Sequence, residues 1–314
     1  MCEDDDHMST ASQQGRAAGV AFCLLAATAW GTTGTAATFA PDVPAVAIGA
    51  AAMGIGGLLQ AMIALGAIRG DLPLLARHGR LLLVGAVCVA IYPLAFYLSM
   101  RLAGVTIGTV ISIGSAPAIA ALIENRIEGS RLSRRWATGA AMGIAGIALL
   151  GLTEGADEGL APNVPLGVVL GLVAGATYAL YSWSARRLMQ RGARARAAMG
   201  ATFGLGGLLL MPVLLLTGGP FLESASNLAV GAYMALVPMF LGYIAYGAGL
   251  SRIPSSQATT ISLFEPIVAA MLAIVVVGEQ LPPLGWLGIG LIVACLFWTE
   301  LPIPGHWRRS FPFR

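Results

Sequence analysis

One apolar segment, residues 255–278, carries at its centre the stretch SLFEPIVAA, residues 262–270. A carboxylate such as Glu265 costs at least about 2.5–3.5 kcal/mol at the centre of a membrane helix, so it is expected to face the interior of a helix bundle or water. Pro266 follows directly. Because proline removes one helix hydrogen bond, it frees a backbone carbonyl to line a cavity. The stretch therefore predicts a bundle of membrane helices with a polar site inside.

Composition extends this prediction to the whole chain. Of 314 residues, 57% are hydrophobic and 11% are charged, and the mean hydropathy is +0.80. That is far too apolar for an ordinary soluble domain. A bilayer core about 30 Å thick needs about 20 apolar residues per helix. The predicted fold is an all-α integral membrane protein with ten transmembrane helices, at 17–39, 43–67, 81–100, 104–124, 136–153, 164–185, 197–217, 227–249, 255–278 and 283–299.

The basic residues are distributed unevenly among the predicted loops. All eighteen are arginines, and threading the ten spans through a bilayer places seventeen of them on one side, with Arg101 as the exception. Loops on the other side are short and neutral or acidic. Because arginine near the end of a span resists translocation, we predict that the arginine-rich side is cytoplasmic and that both termini lie there.

The apolar run is repeated within the chain. At an offset of 149 residues Tyr97 matches Tyr246 and Pro117 matches Pro266. Each match is weak alone, but together they favour a duplication, with five-helix repeats at 17–157 and 164–300. Since five is an odd number of crossings, the second copy enters from the opposite face, which gives two inverted repeats.

Both ends of the chain are predicted to lie outside these repeats. Residues 1–8 do not resemble the basic and apolar start of a signal peptide, and we interpret them as a leader from cloning, with Met8 as the natural start. Residues 301–314 are predicted to form a cytoplasmic tail. Cys23, Cys88 and Cys295 sit singly within spans, so their spacing indicates neither a disulfide framework nor a metal site.

Two interpretations of Glu265 stay open. A carboxylate removed from water takes up a proton more readily, so Glu265 is a candidate proton carrier or an anchor for a cationic group. The alternative is a buried glutamate that holds neighbouring helices together through hydrogen bonds.

Aromatic and hydroxyl side chains give a second signal for a site. Pairs such as Tyr178 and Tyr181 share one helix face by their spacing. An apolar pocket with a few polar points is how small-molecule sites are built. The competing interpretation is an interfacial aromatic belt, to which we assign Tyr233 and Trp286. The predicted cavity residues, besides Glu265, are Trp30, Tyr92, Tyr97, Tyr178, Tyr181, Tyr243, Tyr246, Ser112 and Ser262.

Several kinds of chemistry are excluded. Without lysine the chain has no Walker A phosphate loop and no Schiff base with pyridoxal or retinal. Outside the leader, His78 and His306 lie in predicted cytoplasmic segments, so a Ser-His pair at membrane depth is unattainable. No span carries a metal-binding motif. We expect no enzyme activity, no metal and no cofactor. Nucleic acid is not expected either, since the cytoplasmic arginines explain the net charge of +3 and contact with anionic lipid headgroups is a simpler interpretation.

The C-terminal motifs resemble those of a known family. The stretch 262–270, with GEQL at 278–281 and WLG at 286–288, is similar to the hallmark of EamA-type carriers of the drug/metabolite transporter superfamily, and the first copy carries a weaker form. The resemblance implies ten helices in two inverted repeats, a central substrate cavity and alternating access in a bacterial inner membrane. It further implies that Glu265 and the tyrosines meet the substrate, while Pro117 and Pro266 mark flexible points in the helices.

The resemblance also suggests a substrate. Several bacterial members export amino acids and related metabolites, including an aromatic amino-acid exporter group. The leading hypothesis is a secondary transporter that exports small metabolites, above all amino acids, driven by their own gradient or by proton exchange. The alternatives are a passive channel or lipid scramblase and a membrane subunit without transport activity.

Overall fold

The computed structural model describes residues 3–103, 105–131, 133–154, 163–277 and 280–300. The predicted tail and the motif residues Gly278 and Glu279 lie outside them. The described residues contain ten main helices, as predicted: α1 Glu3–Gly31, continued as Thr33–Ala37, α2 Ala45–Arg77, α3 Gly79–Ala103, α4 Val105–Glu128, α5 Arg134–Glu154, α6 Val164–Gln190, α7 Ala195–Thr217, α8 Ala225–Leu250, α9 Ser255–Val276 and α10 Pro283–Glu300.

Most of these helices suit a membrane. Among the described residues, eight helices are long and apolar enough to cross a bilayer, and Pro283–Thr299 is a shorter apolar helix. Several helices extend beyond their predicted spans, and at its C-terminal end α2 does so furthest, since it runs to Arg77 instead of ending at 67. Its final turns lie at the arginine-rich ends of the helices, where Arg194 pairs with Asp71 at 3.0 Å. Hydropathy marks only the apolar part of a helix, whereas this ion pair supports its polar extension.

α8 and α9 depart from α-helical geometry near their centres. In α8 a π-helical turn, Ala235–Leu241, contains Pro238. In α9 a 3-10 turn, Ser262–Phe264, ends where Glu265 and Pro266 begin the next α-helical stretch. Proline cannot continue the helix hydrogen-bond ladder, which accounts for a break beside it. The repeat partner Pro117 lies inside α4, which stays α-helical throughout, so the two matched prolines have different local structures.

Equivalent helices of the two halves pack in equivalent ways. α1 packs on α8 and α6 packs on α3, while α4 packs on α6 and α9 packs on α1. Each pair becomes the other when every helix is replaced by its equivalent in the other half, five helices further along the chain or five before, as expected for two related halves. The same replacement leaves the α2–α7 pair and the α5–α10 pair unchanged, because the members of each pair are equivalents of one another. Because each half has an odd number of helices, the repeats are inverted.

The glycines with helical spacing lie at helix crossings inside the bundle. On α6, a Cβ atom added at Gly171 would lie 2.9 Å from the hydroxyl oxygen of Ser99, and one at Gly175 would lie 2.8 Å from the carbonyl oxygen of Ser112. Small residues therefore let α6 approach α3 and α4 closely. The small-residue stripe on α6 therefore serves packing within the chain.

The crossing of α5 and α10 gives a direct test of this packing. We expect Gly288→Ala to destabilise the fold by about 1–3 kcal/mol, the usual cost of overpacking. The added methyl carbon would lie 2.6 Å from the carbonyl oxygen of Gly146 and 2.8 Å from the amide nitrogen of Leu150. These are backbone atoms of a packed helix and cannot rotate away. Thermal unfolding of the purified protein in detergent measures the effect.

The matched control is Gly290→Ala on the same helix, where an added Cβ meets nothing within 4 Å. Its unfolding midpoint should equal or slightly exceed that of the wild type, because alanine favours helices over glycine. Equal midpoints for the two variants would contradict the crossing.

Candidate functional site

A narrow cavity, with a volume of about 40 Å³ open to a water-sized sphere, lies among helices of both repeats. Six of the predicted residues line it, namely Trp30, Tyr92, Tyr97, Tyr178, Tyr243 and Glu265. The other lining residues were not predicted: Thr33, Gly49, Ala52, Met53, Pro93, Phe96 and Met239. Thr33 and Gly49 belong to the ends of α1 and α2 opposite the arginine-rich side. The cavity therefore lies towards the arginine-poor side of the bundle.

Two of the predicted tyrosines lie behind the lining. The hydroxyl of Tyr181 is 2.7 Å from that of Tyr243, and the hydroxyl of Tyr246 is 3.0 Å from Oγ of Ser182. Both Tyr181 and Tyr246 are fully buried. Their hydroxyls are satisfied within the protein, so these residues support the cavity wall.

The predicted serines also lie away from the lining. Oγ of Ser262 donates a hydrogen bond of 2.8 Å to the carbonyl oxygen of Thr259, one turn earlier in α9. Ser112 is fully buried at the crossing of α4 and α6, where its carbonyl oxygen faces Gly175. Tyr233, assigned to the aromatic belt, donates a 2.7 Å hydrogen bond to Oγ1 of Thr32.

The π-helical turn of α8 fixes the wall of the cavity. Nε1 of Trp30 donates to the carbonyl oxygen of Pro238 at 3.0 Å, and Nε2 of Gln60 donates to that of Met239 at 3.1 Å. A π-helical turn leaves backbone carbonyls without their usual α-helical partners. The indole of Trp30 then packs on Tyr243, with ring centroids 4.7 Å apart. The break in α8 thus positions the aromatic side chains of the site.

Glu265 provides the charge of the cavity. The lining contains no arginine, lysine or histidine, and no hydrogen bond or ion pair joins Glu265 to another described residue. The interpretation of Glu265 as a helix-bridging glutamate requires such partners. The nearby hydroxyl of Tyr178 is buried and also lacks a hydrogen-bond partner of normal geometry. Buried hydroxyls are normally paired, and Glu265 is partly exposed where it lines the cavity, so these two groups are available to a ligand.

The arginine-rich end of the bundle is closed by a second carboxylate, Glu124 of α4. Its side chain is 5% exposed. Oε1 accepts hydrogen bonds from the backbone amide and the hydroxyl of Ser255, both at 2.7 Å, and from the amide of Ser256 at 3.2 Å, while Oε2 accepts from the hydroxyl of Ser256. Glu124 therefore caps the start of α9 and ties the first repeat to the second.

Further contacts reinforce this closure. Nη1 of Arg186 on α6 donates to the carbonyl oxygens of Leu250 and Ile253 in the α8–α9 turn, the former at 2.6 Å. Arg186 also interacts electrostatically with Glu124. No sequence pattern reveals this network, because a glutamate at the end of a predicted span resembles any loop carboxylate.

A helical membrane bundle with two inverted repeats and a polar, aromatic-lined cavity between them defines a membrane transporter rather than an enzyme. The EamA-like transporter family matches residues 17–152 and 165–300, one match for each repeat. The chain belongs to this family.

Named relatives agree with this assignment. The chain is 33% identical over 273 residues to the uncharacterized transporter YwfM of Bacillus subtilis, covering 87% of this chain and 90% of YwfM. It is 25% identical to a probable terminal-alkyne amino-acid exporter of Streptantibioticus cattleyicolor, over 86% and 92% of the two chains. The threonine/homoserine exporter RhtA of Escherichia coli is 29% identical over 44% of this chain and 46% of its own length.

A solved structure supports the fold. A protein crystal structure superposes with a TM-score of 0.75 at 19% identity, covering 91% of this chain and 97% of the other. At that identity the likeness concerns the fold alone.

Proposed function

We propose that the protein is a secondary transporter in a bacterial inner membrane and that it exports small amine-bearing metabolites, above all amino acids. The names of two relatives, a threonine/homoserine exporter and a probable terminal-alkyne amino-acid exporter, support this substrate class. The arginine distribution supports a cytoplasmic location for both termini.

The observation that carries the proposal is the unpaired carboxylate of Glu265 in an aromatic cavity. A carboxylate attracts the ammonium group of an amino acid, and the faces of tryptophan and tyrosine rings attract it further. Trp30, Tyr92 and Tyr243 supply such rings. A substrate carboxylate finds no cationic side chain in this lining, so it would accept hydrogen bonds from tyrosine hydroxyls such as that of Tyr178. The carboxylate of Glu265 can bind a proton once the substrate leaves.

Alternating access fits the position of the cavity. The cavity lies towards the arginine-poor side, while Glu124 and Arg186 close the opposite end. We assign this arrangement to the outward-facing state of the transport cycle. In the inward-facing state the contacts of Glu124 with Ser255 and Ser256 must open. The two inverted repeats rock against each other around the site and exchange their conformations.

A counterflow experiment tests the proposed function. Liposomes that contain the purified protein are loaded with an unlabelled panel of amino acids. One labelled member of the panel is then added to the outside solution. We expect the label to enter transiently against its gradient and the rate to saturate with concentration. A passive channel or scramblase gives neither counterflow nor saturation. Absence of movement of every panel member, relative to protein-free liposomes, would rule out the amino-acid substrate.

A further inference from the structure

A second cavity lies at the arginine-rich end of the bundle, where the α2–α3 turn meets the ends of α4 and α6. Its volume is about 520 Å³. We call it the arginine cleft, because its polar lining consists of Arg77, His78, Arg80, Arg187 and Arg191. These residues come from two separate parts of the chain, the α2–α3 turn and the end of α6, so the fold brings four guanidinium groups together.

The cleft holds more positive than negative charge. Nη1 of Arg187 lies 3.8 Å from Oε1 of Glu128, and this oxygen also accepts a 2.9 Å hydrogen bond from the indole of Trp183. Nη1 of Arg191 contacts Nδ1 of His78 at 3.3 Å. One carboxylate therefore faces four arginines. Guanidinium groups repel one another unless an anion lies between them.

Arg77 and Arg80 are the least satisfied members of the cleft. Neither forms a hydrogen bond or an ion pair with another described residue. Other arginines at the same end of the bundle do have acceptors: Arg194 pairs with Asp71, and Arg252 donates to a backbone carbonyl. The arginine cleft thus differs from the general excess of arginine on this side, because four arginines converge there and two of them have no acceptor among the described residues.

We propose that the arginine cleft binds a phosphate group, and that an anionic phospholipid headgroup supplies it. The planar fork of guanidinium donors matches phosphate oxygens in bidentate geometry. Apolar side chains also line the cleft, namely Leu81 and Ile127, and Ile127 is 55% exposed. These side chains offer a surface for acyl chains beside the headgroup. A free phosphate ion would use the same arginines, so the two sources are separated by experiment.

The test follows thermal unfolding of the full-length protein in detergent during three titrations. One adds short-chain phosphatidylglycerol, the second adds phosphatidylcholine of the same chain length, and the third adds inorganic phosphate. We expect phosphatidylglycerol to raise the unfolding midpoint saturably and phosphatidylcholine to leave it unchanged. An equal shift from inorganic phosphate at the same concentration would support the phosphate site but overturn the lipid as its source.

A pair of double variants makes the test local. Arg77→Gln/Arg80→Gln should raise the phosphatidylglycerol concentration at half-saturation by at least about tenfold, because each arginine near an anionic lipid contributes substantially to binding. The control, Arg69→Gln/Arg196→Gln, removes the same charge from exposed arginines of the same end outside the cleft and should behave as the wild type. Equal weakening in both variants, or no shift with either anion, would overturn the proposal. If the cleft variant fails to fold, Arg80→Gln alone should show a smaller shift in the same direction.

Discussion

Glutamine in place of Glu265 is expected to abolish substrate accumulation driven by a pH gradient, while downhill exchange of substrate continues at a higher half-saturating concentration, because an amide oxygen binds an ammonium group more weakly than a carboxylate does. Glutamine keeps the size of the side chain and a carbonyl acceptor, but it cannot bind and release a proton. Glu265 is the one carboxylate among the lining residues of the cavity. If it carries the coupling proton, no other lining carboxyl group replaces it. Accumulation should therefore fall to the level of protein-free liposomes.

The measurement is uptake of labelled substrate into liposomes with and without an imposed pH difference. Glu223→Gln is the matched control, because this carboxylate is exposed near the arginine-poor end of α7, away from the cavity. It should keep the pH response of the wild type. An unchanged pH response in Glu265→Gln removes Glu265 from proton coupling, whereas loss of downhill exchange as well contradicts the expectation that the glutamine variant still transports.

Glu265 was accessible to sequence reasoning because the cost of a charge in the membrane is independent of tertiary structure. The same holds for the ten helices and for the inverted repeat, since hydropathy and internal matches are properties of the chain. The cavity lining was predicted only in part. Tyr178 lines the cavity, whereas Tyr181 lies behind it although both share one face of α6. Their difference depends on the rotation and depth of α6 against α8, which spacing alone does not specify.

The closure by Glu124 was hidden for a different reason. Its partners Ser255 and Ser256 are 131 and 132 residues away in sequence, and no local pattern connects them. The pair Ser255-Ser256 resembles an ordinary helix start after Pro254. Only the packing of the first repeat against the second brings the carboxylate to this helix end. Contacts between repeats are therefore where sequence reasoning about this fold is weakest.

The largest conformational effect is expected from Glu124→Ala. Removing the carboxylate leaves the amides and hydroxyls of Ser255 and Ser256 buried without their acceptor, and each unsatisfied buried group costs about 1–3 kcal/mol. This cost falls on the closed arrangement alone, because water can reach these groups once the arginine-rich end opens. The equilibrium should therefore shift towards the inward-facing state. A loss of about 3 kcal/mol corresponds to a change of more than about 100-fold in the ratio of the two states.

Hydrogen exchange measured by mass spectrometry distinguishes this shift from simple destabilisation. In Glu124→Ala the amides at the start of α9 should exchange faster by about 100-fold, while amides beside the cavity mouth, around Thr33 and Gly49, should become more protected as that side closes. Faster exchange at both ends would instead indicate general loosening and contradict a gating function. The control is Glu128→Ala, which removes another carboxylate of α4, one that contacts Trp183 and Arg187. It should leave the exchange rates at the start of α9 unchanged. If the alanine variant does not fold, Glu124→Gln, which retains one acceptor oxygen, should give smaller changes in the same directions. Amides at the start of α9 should exchange faster, and amides beside the cavity mouth should exchange more slowly.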